Sequence, residues 1–122
     1  LMLVKNKIPY VNENKIMKHV LKILNSKRLG FVVVVNDKGL TSGIFTDGDL
    51  KRLLQKKKFI DKLKIKSFMT KNPFMVEENN LASDILNKMN RKKITSACVY
   101  KKDNKRKTIG VIHIHNLLKD SR

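Results

Sequence analysis

Apolar residues recur along this chain in two rhythms, one helical and one extended. Ile16, Val20, Ile23 and Leu24 fall on a single stripe at helical spacing, and Asn14 stands where a side chain would cap the first turn. That helix is expected to stop near Leu29-Gly30, because glycine accepts the left-handed conformation that ends helices. Phe31 to Val35 is an unbroken run of apolar, mostly β-branched residues, short and bounded by Gly30 and Asn36-Asp37, which reads as a buried strand. Asn36-Asp37-Lys38-Gly39 supplies a tight turn, Leu40 to Phe45 returns as the partner strand, and Thr46 opens a helix carrying Leu50, Leu53 and Leu54.

The same pattern comes back 65 residues later. Val11 falls on Val76, Ile16 on Leu81, Val20 on Ile85, Leu24 on Met89, and Phe31–Val35 on Ser96–Tyr100. Beyond that strand the offset becomes 67, so that Gly43-Ile44 matches Gly110-Val111 and Leu50 matches Leu117. A repeat of this kind marks one supersecondary unit used twice. Copy one spans residues 1–60 and copy two 61–122, each reading strand, helix, strand, strand, helix: an α/β (α+β) arrangement of two repeats. In copy two Asn80 is the expected cap, with a helix through Leu81, Ile85 and Met89, then strands Ala97 to Tyr100 and Thr108 to Ile112. Between the copies, Asp61 to Met69 is polar with Leu63, Ile65 and Phe68 at intervals, which predicts a short docked helix. A unit of about 60 residues has little interior of its own, so the copies are expected to share an interface and leave a groove along their pseudosymmetry axis.

Composition narrows the function. The 122 residues are 41% hydrophobic, as in a globular chain, and the longest apolar run is far short of the roughly 20 residues that cross a bilayer. A single cysteine, Cys98, excludes an internal disulfide and fits a reducing, cytoplasmic setting; on an apolar strand it reads as core. No signal-peptide pattern opens the chain, and the start at Leu1 suggests a fragment of a longer protein. The net charge of +18 is extreme, and a polyanion partner is its functional reading. Only five of the 28 basic residues are arginine, however, and the lysines are spread over every segment. With few aromatics outside strand positions, a solvated lysine-rich surface is favoured over a nucleic-acid interface, with a positive rim for an anionic small molecule as the intermediate case.

The repeated unit, and above all Gly43-Ile44-Phe45-Thr46-Asp47-Gly48-Asp49-Leu50, resembles the CBS domain, whose copies come in pairs. Met69-Thr70-Lys71-Asn72-Pro73 looks like the family's opening of a copy, and Met2 to Pro9 like a variant of it. The resemblance covers essentially the whole chain. A narrower one joins Gly43–Arg52 with Gly110-Val111-Ile112-His113-Ile114-His115-Asn116-Leu117-Leu118. Together they look like the C-terminal CBS pair of bacterial arabinose-5-phosphate isomerases, which act early in making Kdo, an acidic sugar of lipopolysaccharide. It implies a non-catalytic regulatory module binding an adenine nucleotide or a CMP-sugar, with no required cofactor. The implied partners are an N-terminal sugar-isomerase domain and a second copy of the module.

In CBS domains of this pattern the Gly-hydrophobic-x-Thr-x-x-Asp stretch grips a nucleotide, which assigns Thr46 and Asp49 here, with Asp47, Pro9 and Val32 beside them. Thr46 and Asp49 are three apart at a strand-to-helix junction, so their side chains face the same way. A carboxylate accepts hydrogen bonds from both ribose hydroxyls, and a helix start favours phosphate. The bland alternative is equally well built: Thr46 caps the helix, and Asp49 in its first turn complements the dipole. In copy two His113 replaces the Thr and Asn116 the Asp. His113 and His115 are two apart, suiting hydrogen bonding to an anionic ligand or simple packing better than a metal site. Val33 and Cys98 stand where many CBS domains have proline. No nucleophile–base set and no distinguishable acid–base pair is present, since nothing separates the environments of Asp47 and Asp49.

Overall fold

A computed structural model describes residues 3–4 and 7–113. The chain divides into two compact units, one of Pro9–Asn72 and the other of the described residues up to Ile8 and from Pro73 onward.

In the Pro9–Asn72 unit, β2 (Tyr10–Asn12), β3 (Phe31–Val35), β4 (Thr41–Thr46) and β5 (Thr70–Lys71) form a sheet in that order. β2 and β3 are parallel, which requires a crossover, and α1 (Met17–Lys27) makes it. β3 and β4 are antiparallel through the expected turn, where Gly39 sits at φ 78 and its N–H donates to the Asn36 carbonyl. The Asn36 side-chain oxygen accepts from the N–H groups of Lys38 and Leu40, which locks the corner. β3 is buried on both faces, as its continuous apolar run implies. Val32 and Val34 point into a core with Val11, Met17, Val20, Leu24, Phe45, Ile60 and Ile65. α2 (Asp47–Lys56) follows β4 and packs on this core only through Leu50 and Leu53, with no fully buried residue.

The second unit repeats this order with β6 (Met75–Glu77), α3 (Ala82–Lys92), β7 (Ser96–Tyr100) and β8 (Gly110–His113). Its sheet runs β1-β8-β7-β6, where β1 is Leu3–Val4. Equivalent elements stand 65 residues apart up to β7, and β8 follows β4 at 67, the offsets read from the apolar pattern. The core here is Val76, Ile85, Met89, Ala97, Val99 and Ile112. The fourth strand of each sheet comes from the other copy: β5, in the first part of copy two, pairs with β4, and β1, in the first part of copy one, pairs with β8. The compact units therefore cut the chain elsewhere than the sequence halves 1–60 and 61–122.

Several local expectations are corrected. Asn14 does not cap α1: the N-cap is Ile16, with no side-chain bond. Asn14 instead lies in a turn, its N–H held by the Asn12 side chain. Asn80 likewise serves the turn before α3, accepting from the Glu77 N–H, and the N-cap is Leu81, which is largely exposed rather than part of the apolar stripe. Both helices stop on a left-handed basic residue, Arg28 and Lys93, ahead of the glycine expected to end the first. The linker forms only one 3-10 turn, Ile65–Ser67, because its carbonyls and amides are spent on α1. The Met17 and Lys18 N–H groups donate to the carbonyls of Leu63 and Asp61, and the Ile65 N–H to that of Lys15. These bonds cap the helix start with backbone, as no side chain does. β8 starts at Gly110, two residues later than expected, and copy two's second helix, with Leu117, lies outside the described residues.

Candidate functional site

β4 delivers Thr46 to the edge of the core and α2 begins at the next residue. Strand ends at Thr46 because its N–H and hydroxyl turn to Asp49 rather than to the ladder. The Thr46 N–H donates to Asp49 Oδ2 at 3.0 Å, and the Asp49 N–H donates to Thr46 Oγ1 at 3.2 Å. This reciprocal capping box is worth about 1 kcal/mol to the helix. The Asp47 N–H is taken by the Gly30 carbonyl at 2.9 Å. Of the first three amides of α2, only that of Gly48 meets no acceptor among the described residues. Gly48 carries no left-handed backbone requirement, and a Cβ there would sit 3.5 Å from the Arg52 guanidinium nitrogens, at ordinary contact distance.

The Asp49 carboxylate is 15% exposed and engaged by more than the capping box. Arg52 Nη2 donates to Oδ1 at 2.7 Å, and the Thr70 hydroxyl stands 3.3 Å from both oxygens. Arg52 is itself 68% exposed, so this ion pair is worth at most about 1 kcal/mol. Neither residue was singled out from the sequence. Arg52 was legible as the i+3 neighbour of Asp49 on a helix, whereas Thr70 reaches the site only because β5 pairs with β4.

The remaining candidates are scattered. Pro9 is buried beside β3, its carbonyl accepting from the Val33 N–H at 2.9 Å, and Thr46 lies across β3, opposite Phe31. Both thus flank one end of the same strand. Val32, between them, packs its side chain in the core and offers a ligand only backbone. Asp47 is exposed, and the capping box is made by Thr46 and Asp49. His113 is the register counterpart of Thr46, paired with Ser96 as Thr46 is with Phe31, but it is buried and belongs to the other unit. His115 and Asn116 lie outside the described residues.

Cys98 is fully buried on β7, and its N–H donates to the Phe74 carbonyl at 2.8 Å, as that of Val33 does to Pro9. Burial pushes its thiol up from 9.0 to about 11, against a smaller opposing pull from the Thr108 hydrogen bond. Such a thiol is a core residue, not a nucleophile. Among the described residues no cluster of His, Cys, Asp and Glu is arranged to hold a metal, and no helix is long and apolar enough to cross a membrane.

Comparison with known proteins bears on this geometry. The family model described as CBS domain matches residues 3–56 and 65–121. The arabinose 5-phosphate isomerase of Salmonella typhi is 35% identical over 114 residues, covering 93% of this chain. The chain spans about a third of that relative, 34% of its length. Among solved structures, an uncharacterized conserved protein from Pyrococcus horikoshii superposes with a TM-score of 0.84 at 23% identity, over 98% of this chain and 88% of that one. CBSX2, solved in complex with AMP, superposes at 0.78 and 21% identity, covering 98% and 91%. Two family matches in the two halves, and two sheets of one topology, agree: the chain belongs to the CBS-domain family as a tandem pair.

Proposed function

We propose that this chain is the ligand-sensing, regulatory CBS pair of a sugar-phosphate isomerase, taking a nucleotide or nucleotide-sugar at the start of α2. The observation that carries the reading is the Asp49 carboxylate, partly open to solvent in the same first turn as the unclaimed Gly48 amide. A ribose presents two vicinal hydroxyl donors, which a carboxylate accepts one on each oxygen. A phosphate suits the Gly48 amide and the positive end of the helix, with Lys51 and Arg52 nearby in sequence. Kinship with an arabinose 5-phosphate isomerase supports the parent activity and, with it, a CMP-sugar as a feedback ligand; the AMP complex of CBSX2 supports an adenine nucleotide. The catalytic domain would be the parent's, and the module would act by binding its ligand with different affinity in two states of that parent.

Thermal unfolding with AMP, ATP and a CMP-sugar tests this. A ligand at a hundred times its dissociation constant raises stability by about 2.7 kcal/mol. Asp49→Ala is expected to remove that gain, and wild-type unfolding that ignores all three compounds at millimolar concentration would end the reading. A second reading is a ligand-free module that dimerises. It is favoured by α2, where Leu54 is 50% exposed and Phe59 just beyond is 92% exposed. A dimer in sedimentation together with an empty ligand screen supports it.

A further inference from the structure

The Asp49 carboxylate is occupied before any ligand arrives, and by a residue of unusual position. The Thr70 hydroxyl is equidistant, at 3.3 Å, from Oδ1 and Oδ2, so it bridges the carboxylate fork. A single O–H proton shared between two oxygens makes one weak, divided bond. The same bridging position is where two vicinal hydroxyls would donate, one to each oxygen. Thr46 cannot be the competitor, because its N–H holds Oδ2 as part of the helix cap.

Thr70 belongs to β5, a strand of two exposed residues, Thr70 and Lys71. Its ladder is only Gly43↔Lys71 and Ile44↔Thr70. Asn72 follows with φ 53, a left-handed bend, and Pro73 then begins the part of the chain assigned to the other compact unit. With so short a ladder, a side-chain tie to Asp49 is a large share of what holds β5. We propose that Thr70 is a latch: its hydroxyl and the ligand's vicinal diol compete for Asp49, so that filling the site loosens β5, the stretch by which one unit continues into the next. The latch rests on the nucleotide reading above and adds the route by which occupation is felt outside the site. Thr70 is a positioning residue that leaves the carboxylate when the diol takes its place.

Competition has a sign that direct contact does not. Thr70→Val keeps the β-branched shape and removes the hydroxyl, so AMP, measured by titration calorimetry, is expected to bind about three- to tenfold tighter than to wild type. Thr70→Ser keeps a hydroxyl and is expected to stay near wild type, which separates the latch from general loosening. For 2′-deoxy-AMP, one hydroxyl short of the diol, the gain from Thr70→Val should shrink. Amide hydrogen exchange supplies the second readout: AMP should speed exchange of residues 69–72 in wild type and leave them unchanged in Thr70→Val. If wild type binds AMP and Thr70→Val binds it equally or more weakly, the latch is overturned while the nucleotide reading stands. If wild type binds none of AMP, ATP and a CMP-sugar, both fall together.

Discussion

Gly43 stands where no larger residue fits: a Cβ there would lie 2.6 Å from the Thr70 carbonyl oxygen and 2.8 Å from Met69 Sδ. Backbone carbonyls cannot retreat as a flexible side chain can, so β5 would have to leave β4. Gly43→Ala should therefore destabilise the chain by about 2 kcal/mol in urea unfolding, in the range of an overpacked core. It should also free Thr70 from Asp49, an effect carried through the pairing of β4 with β5. Cys98 carries a different residue-scale consequence. Its folded pKa, near 11, lies above the ordinary 9.0, so above pH 9 the unfolded chain releases a proton that the folded chain keeps. Stability from this group is complete below pH 9 and is lost as pH rises toward 11, by roughly 1 kcal/mol per pH unit. The stability margin of wild type over Cys98→Ala should accordingly narrow between pH 9 and 11; a margin that is flat or widens would contradict the burial argument.

At the level of elements, the two repeats differ most where their first helices begin. α1 is met by the linker, whose carbonyls at Leu63 and Asp61 accept from Met17 and Lys18, while Ile60 and Ile65 add to the core beneath. The register equivalents on α3 are the amides of Ala82 and Ser83, which meet no acceptor among the described residues. Leu81 at that end is 68% exposed, against 40% for its counterpart Ile16. Hydrogen exchange should thus be slow at Met17 and Lys18 and fast at Ala82 and Ser83, since an amide without a partner has no opening step to wait for. Equal protection at the two helix starts would show that the capping by the linker is not kept in solution. The failure of Asn14 and Asn80 as caps has the same origin. Asn is favoured both at N-caps and in the turn that precedes them, and local spacing does not separate the two uses.

For the molecule as a whole, the net charge of +18 matters more than any ion pair. Only one salt bridge is present among the described residues, Arg52 with Asp49, so most lysines face water with no countercharge. Self-repulsion on that scale weakens the compact state and is relieved by screening. Raising salt from about 10 mM to about 300 mM is expected to raise the unfolding temperature by several degrees. A fall in that temperature would mean that attractive pairs outweigh the repulsion.

The amino-acid pattern by itself determined the repeat, its two offsets and the order of elements within each copy, because side-chain burial has a period that a chain cannot disguise: the five apolar residues of β3 and the stripe of α1 have no other way to leave water. It also marked Thr46 and Asp49, since a capping box and a ligand grip need the same two residues at the same spacing. What the pattern did not contain is pairing between segments distant in sequence. That β5 joins β4 and β1 joins β8, that the linker spends its carbonyls on α1 instead of forming a helix, and that Thr70 bridges the Asp49 carboxylate are decided by hydrogen-bonding groups found only once the chain has closed. Backbone donors and acceptors are the same at every residue but the two prolines, so which of them meet is settled by tertiary packing and not by composition.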